Sequence, residues 1–330
     1  MIPVDRRTFL SVLVAGALIR RPAAEAQPTG KVWRIGVLEP SLPAANGHLV
    51  AAFRQALREL GWEEGRNIVV ETRFADGKLE RLPALAKELA QLRVDVFVAA
   101  GTPAIRAARE AAPTTPIIMS AVGDPVAEGL VASLGKPGGT ITGVTVQSPE
   151  LSAKRVQLLQ EAVPRVSRLA IIWDPGIVHE VHGFKEAEAA ARSLGIVLLS
   201  FEVKRADQLE AAFAGMARDG ASGVFVFPNS ITSTFGRRIA DLALKHRLPS
   251  VAGVRELADA GVLLVYGPVR AENYRRAATF VHQVLNGARP GDLPIQQPTK
   301  FELVVNVKTA KALGLTLPQS LLARADQVVE

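Results

Sequence analysis

The sequence predicts an α/β protein of two doubly wound, Rossmann-like parallel-sheet lobes in tandem. Three observations carry that prediction. From Trp33 onward, short apolar runs alternate with segments of helical periodicity. Candidate strands start 34, 28 and 21 residues apart in the first half of the chain, and 28, 26 and 27 apart in the second. Such spacings suit successive right-handed βαβ units. The alternation also begins again after residue 145, without a strong residue-level repeat, so two lobes of similar plan follow in tandem.

The elements are read in order. Residues 33–38 form a buried strand, and residues 44–60 a helix with Leu49, Phe53, Ala56, Leu57 and Leu60 on one face. Gly61 to Gly65 supply turn chemistry that ends it. Strand 67–73, helix 79–91, strand 95–99, helix 103–112 and strand 116–120 come next, then a helix at 126–134 and a strand at 140–145. The second half runs helix 149–163, strand 168–173, helix 180–194, strand 196–202 and helix 206–218. Strand 222–227, helix 232–246, strand 249–252 and strand 262–265 follow. A long helix at 270–287, a strand at 302–307 and a short helical region close the chain.

The first 26 residues read differently. Arg6-Arg7-Thr8-Phe9-Leu10 is a twin-arginine pair, Leu10 to Ile19 is apolar, and Ala24-Glu25-Ala26 precedes Gln27. A basic region, a short apolar run and a small-residue site make an export signal of twin-arginine type, cleaved after Ala26. The run is shorter than the roughly 20 residues a membrane span needs. With no cysteine in the chain the signal is not a lipoprotein one, so a periplasmic protein without stable membrane insertion is expected. Removing 26 of 330 residues leaves 304, enough for two cores. It also removes four arginines and two acids, which lowers the net charge from +7 to +5. Scattered bases and 5% aromatics argue against a nucleic-acid groove. The missing cysteines exclude disulfides and thiolate sites.

Enzyme motifs are missing where they would be needed. Glu39-Pro40-Ser41-Leu42-Pro43 follows the first strand, where a dinucleotide fold would carry its glycine triad. His179 and His182 stand three apart at a helix start, but no third metal ligand is evident, and a solvated helix terminus explains them. No catalytic residue, metal or cofactor is expected. The strand-to-helix turns are more informative. Thr102 is placed as N-cap and Pro103 as the first helical residue, at the carboxyl end of a parallel sheet where such folds bind ligands. Free amides there favour an anion. Ser120 to Pro125, Asn229-Ser230, Arg255 and Tyr266 fall on matching rims. Together they would make a polar interlobe cleft, although each alone is also what an ordinary loop carries.

Several segments then carry a resemblance. They are 34–38, Leu60 to Asn67, Gly101-Thr102-Pro103-Ala104, Ala121 to Val126 and Lys136 to Val144. Phe301 to Asn306 and Leu315-Thr316-Leu317-Pro318 complete the set. Over nearly all of the mature chain the sequence resembles the ABC-transporter substrate-binding family with the type I periplasmic-binding fold, which includes tryptophan-binding proteins. The resemblance implies two lobes joined by crossover strands, lobe one at 27–143 plus 268–295 and lobe two at 144–267 plus 296–330. It implies a ligand held in the cleft, lobes that close on it, and docking on an inner-membrane ABC permease, with no enzymatic step. Carried over by position, the ligand-facing residues are Glu39, Ser41, Thr102, Pro103, Ala121, Val122, Asn229, Ser230, Arg255 and Tyr266. Amino-acid-binding relatives resemble one another in acidic lobe-two loops, where this chain has Ser230 and Arg255. An arginine clamps a carboxylate and repels an ammonium. The expected ligand is therefore an anionic or neutral organic carboxylate, with an amino acid met by Glu39 as the alternative.

Solute capture for ABC uptake is the leading functional expectation. A periplasmic sensing module of the same fold, signalling to a membrane receptor, is the alternative. An exported oxidoreductase lacks a cofactor fingerprint. A sugar-responsive repressor would need a helix-turn-helix segment and no export signal.

Overall fold

The computed structural model describes residues 31–146 and 150–330. The export signal and its cleavage site lie outside the described residues. The chain runs β1 (Trp33–Glu39), α1 (Pro43–Glu59), β2 (Ile68–Phe74), α2 (Leu82–Gln91), β3 (Val96–Ala100), α3 (Gly101–Ala111), β4 (Ile117–Val122) and β5 (Ile141–Thr145). These strands form one parallel sheet in the order β2-β1-β3-β4-β5. Then come α4 (Glu150–Ala162), β6 (Arg168–Trp173), α5 (Val178–Ser193), β7 (Val197–Glu202), α6 (Leu209–Arg218), β8 (Gly223–Val226), α7 (Ser230–Thr234) and α8 (Gly236–Lys245). The rest is β9 (Ser250–Ala252), α9 (Glu256–Ala260), β10 (Leu264–Pro268), α10 (Arg270–Leu285), β11 (Phe301–Asn306), α11 (Val307–Ala312), α12 (Gln319–Ala323) and β12 (Gln327–Val329). The second sheet has the order β12-β11-β10-β9-β8-β6-β7, parallel except for the antiparallel β10–β11 pair.

Both sheets are covered on both faces, which is why their central strands are apolar without alternation. All five residues of β3 are buried, and so are all four of β8. On the first sheet one face packs Leu49, Phe53 and Leu57 of α1 beside Tyr274, Ala278 and Val281 of α10; α2 and α3 cover the other. The chain therefore returns to its first lobe through α10 after building most of the second. The second sheet buries α4 and α5 on one side and α6, α8 and α9 on the other.

Three local readings are corrected. Residues 126–134 do not form a helix. One turn follows Pro125, and Gly129 at φ +67° then reverses the chain. Leu130 N–H donates to the Pro125 carbonyl and Gly129 N–H to that of Val126, a Schellman closure that ends the turn at once. The segment 232–246 breaks at Phe235 into α7 and α8. Gly236 follows the break, where a Cβ would come within 2.5 Å of Leu257 Cδ2, so the glycine lets α8 pack tightly on α9. Finally, α3 starts at Gly101 with no side-chain cap, so Thr102 lies in the first turn and is not its N-cap. Gly101 at φ +76° makes the entry turn.

Gly143 in β5 sits at φ +133°, and a Cβ there would lie 2.3 Å from the Met119 carbonyl oxygen of β4. Gly65 is also left-handed, at φ +82°, but has nothing within 4 Å. Gly143→Ala is expected to cost about 3 kcal/mol or more, and Gly65→Ala only about 1. Equilibrium denaturant unfolding of the two variants checks this; equal losses would mean that backbone strain, not the strand contact, dominates.

Candidate functional site

The carboxyl ends of the two sheets face each other across a cavity of about 510 Å³. Parallel topology fixes this, because every βα turn leaves its strand on the same rim. The first lobe contributes Pro40 and Ser41 after β1, Ala100 to Pro103 between β3 and α3, and Ala121 and Gly123 at the end of β4. The second contributes Ser152 and Arg155 of α4, Asp174 and Gly176 after β6, Phe227 to Ile231 after β8, and Gly253 and Val254 after β9. Val146, Pro268 and Arg270 border it where the chain passes between lobes.

Six sequence-predicted residues line this cavity: Ser41, Thr102, Pro103, Ala121, Asn229 and Ser230. The other four do not. Glu39 is fully buried behind the rim, where Tyr274 Oη donates to its Oε1 at 2.5 Å and Asn46 Nδ2 to its Oε2 at 3.0 Å. Burial raises its pKa, against these bonds and the nearby Arg270 charge. It is occupied by α1 and α10 and does not face a ligand. Val122 belongs to the apolar core. Arg255 turns away toward Asp259, Glu302 and Gln327. These partners hold its two terminal nitrogens away from the cavity, so it does not form the expected clamp. Tyr266 packs its ring near Phe301 and offers only its carbonyl inward.

Asn229 lines the cavity, yet its polar atoms are engaged. Its Oδ1 accepts from Ile231 N and Thr232 N at 2.9 Å each, capping α7, and its Nδ2 donates to Glu180 Oε1 at 2.9 Å. The other Glu180 oxygen accepts from Asp174 N at 2.6 Å. Burial pushes the Glu180 carboxyl up to about 7, against the Asp174 amide, the His179 charge and the Asn229 amide. Glu180 thus ties the loop after β6 to the loop after β8.

Charged residues unnoticed in the sequence define the site better. Arg155 is 5% exposed and stands on the cavity floor. Its Nε donates to the Tyr266 carbonyl at 2.7 Å, and its guanidinium carbon is 5.9 Å from the Phe225 ring centre. Burial brings its pKa down to about 10, so it remains a cation at neutral pH. A signal for it existed: Arg155 falls four residues from both Leu151 and Leu159, on the apolar face of its helix. Arg106 pairs with Glu128 at 3.3 Å, and His179 of the other lobe approaches the same carboxylate at 3.9 Å.

Further contacts join the lobes. Glu256 of α9 meets Arg270 of α10 at 3.1 Å and His48 of α1 at 3.2 Å. Burial would raise the Glu256 pKa, but Arg270 and His48 outweigh it and bring it to about 2. Two glycines of the first lobe receive side chains of the second. A Cβ on Gly123 would lie 2.3 Å from the His179 ring, and one on Gly77 2.7 Å from Thr234 Cγ2.

With this geometry in view, comparison with known proteins is informative. Residues 35–329 match the family model described as ABC transporter substrate binding protein. The tyrosine-binding protein of Clostridioides difficile (strain R20291) is 27% identical over 282 residues, 84% of this chain and 79% of that protein. A conserved domain protein from Vibrio cholerae superposes with a TM-score of 0.84 at 25% identity, covering 90% of this chain and all of the other. The Streptococcus pneumoniae ABC domain in complex with L-Trp gives 0.83 at 23% identity, over 90% and 99%. Type I periplasmic binding proteins share this two-lobed α/β architecture.

Glu180 and Glu256 make opposite pH contributions. The raised Glu180 stabilises the fold fully below the ordinary carboxylate range, and that contribution fades as pH rises to about 7. The lowered Glu256 contributes above the ordinary range and is lost as pH falls toward about 2. Each swing is about 3 kcal/mol. Denaturant unfolding between pH 4.5 and 7 should therefore lose a downward slope in Glu180→Gln, whatever that variant's baseline. An unchanged slope would assign the titration elsewhere.

Proposed function

The chain belongs to the ABC transporter substrate-binding family, whose members bind substrates and are not enzymes, and from that premise we propose that it captures a small organic solute between its lobes for an ABC importer. The observation that carries the reading is the cavity of about 510 Å³, walled by both lobes and narrowed by their contacts on either side. A volume of this order suits an amino acid or a carboxylate of similar size. The relatives named for tyrosine and crystallised with L-Trp support that size class. Crossings of the chain near 143–144, 267–268 and 295–296 serve as the hinge, dividing lobe one (27–143 plus 268–295) from lobe two (144–267 plus 296–330). Around it, Gln296 N–H donates to the Gly143 carbonyl and Thr145 N–H to that of Gln296. Closing over solute hides it from water, and the closed lobes present a joint surface to the permease.

The protein acts in this reading as an exported, periplasmic component. The twin-arginine-type segment at its start supports export, and no described helix is long and apolar enough to cross a membrane. The ligand contacts expected from position are those whose residues face the cavity: Ser41, Thr102, Pro103, Ala121 and Ser230, with Asn229 shaping the loop.

Two measurements test the reading. Thermal unfolding against amino acids, organic carboxylates, amines and sugars should single out one class, because a solute at 100 times its Kd adds about 2.7 kcal/mol. Failure of every class would sink solute capture. Gly123→Ala tests closure, since its Cβ meets the His179 ring and wedges the lobes apart. Solute affinity should fall about tenfold or more, and the scattering radius of gyration should no longer shrink at saturation. Unaltered affinity would show that capture does not require closing.

A further inference from the structure

Arg155 is a buried cation facing the cavity, and among the described residues no carboxylate comes within salt-bridge distance of it. The other buried arginine at the cavity, Arg270, has Glu256; the exposed Arg106 has Glu128. Arg155 has one backbone carbonyl and the face of Phe225. Taking a guanidinium out of water is costly unless something returns the lost bonds. Its Nε bond to Tyr266 fixes the plane of the fork. Gly253 leaves room beside the free end, since a Cβ there would stand 2.7 Å from Nη2. Around it the cavity is apolar, with Leu151, Phe227, Ile231 and Val254 in the wall.

Resting on the solute-capture reading, we propose that Arg155 anchors the solute by its carboxylate, and that the solute is a carboxylate with an apolar body. The guanidinium receives two carboxylate oxygens through parallel N–H bonds, a match in plane and spacing that an ammonium or a hydroxyl cannot supply. The apolar wall takes the remainder. The anionic requirement argued from Arg255 in the sequence thus passes to a different arginine, on a helix instead of a rim loop.

The test uses four probes that share one apolar body: 3-phenylpropionate, phenylalanine, phenethylamine and 3-phenylpropanamide, read by calorimetry and thermal unfolding. The two acids should bind and the amine and amide should not. Arg155→Met should weaken the acids about 100-fold and Arg155→Lys less, because a charge remains without the fork. Gly253→Ala keeps Arg155 but crowds Nη2, and should weaken the acids about tenfold even if Arg155→Met fails to fold. Equal binding of acid and amide, or acid affinity untouched in both Arg155→Lys and Gly253→Ala, would overturn the anchor. Binding of sugars or amines with no carboxylate binding would also remove it while leaving solute capture in place. Silence across every solute class would instead remove capture, and the anchor with it.

Discussion

At the contact between the lobes, a carboxylate of one is neutralised by cationic and imidazole groups of the other. Glu256 belongs to α9 on the second sheet, whereas Arg270 and His48 belong to helices packed on the first. Behind Arg270 the polar path continues: its Nη1 donates to Asn46 Oδ1 at 3.4 Å, Asn46 donates to Glu39, and so does Tyr274. A buried pair of this kind is weak evidence for stability but expensive to leave half-made. Separating the lobes exposes Glu256 and Arg270 to water, which offsets the lost attraction. In the proposed capture cycle, the open and closed forms would therefore stay close in free energy, and a bound solute would need to add only a small preference.

Several charged and polar groups in and behind the cavity wall are committed to structure. Glu39 holds α1 and α10, Glu180 holds two rim loops, Asn229 caps a helix, and Glu128 joins Arg106 and His179. Buried polar groups with satisfied bonds rigidify a site more than they recognise a ligand. In the proposed reading, recognition rests on Arg155, the backbone and hydroxyls of the small-residue turns, and the apolar wall.

The two-lobed fold was legible because strand and helix periods differ and the turns fall at regular spacing. The rim of the site was legible too, since parallel topology sends every βα turn to one side, and Ser41, Thr102 and Ser230 were found that way. What failed was long-range. Glu39 was placed correctly at a strand end, but its partner Tyr274 comes from 235 residues further along the chain. Arg255 was assigned to a ligand because two of its partners, Glu302 and Gln327, meet it only in the folded sheet. Arg155 was absorbed into a helix read for packing, where a base on the apolar face was the clue. The expected helix at 126–134 failed locally, because Gly129 in a left-handed turn outweighed its propensity.

The glycine contacts at the two sides of the cavity also bear on time. Gly123 against His179 and Gly77 against Thr234 leave no space for even one more carbon. In the proposed capture cycle, exchange of solute would be paced by separation of the lobes. A solute that bridges the lobes more strongly would also leave more slowly, because opening must break its contacts to one of them.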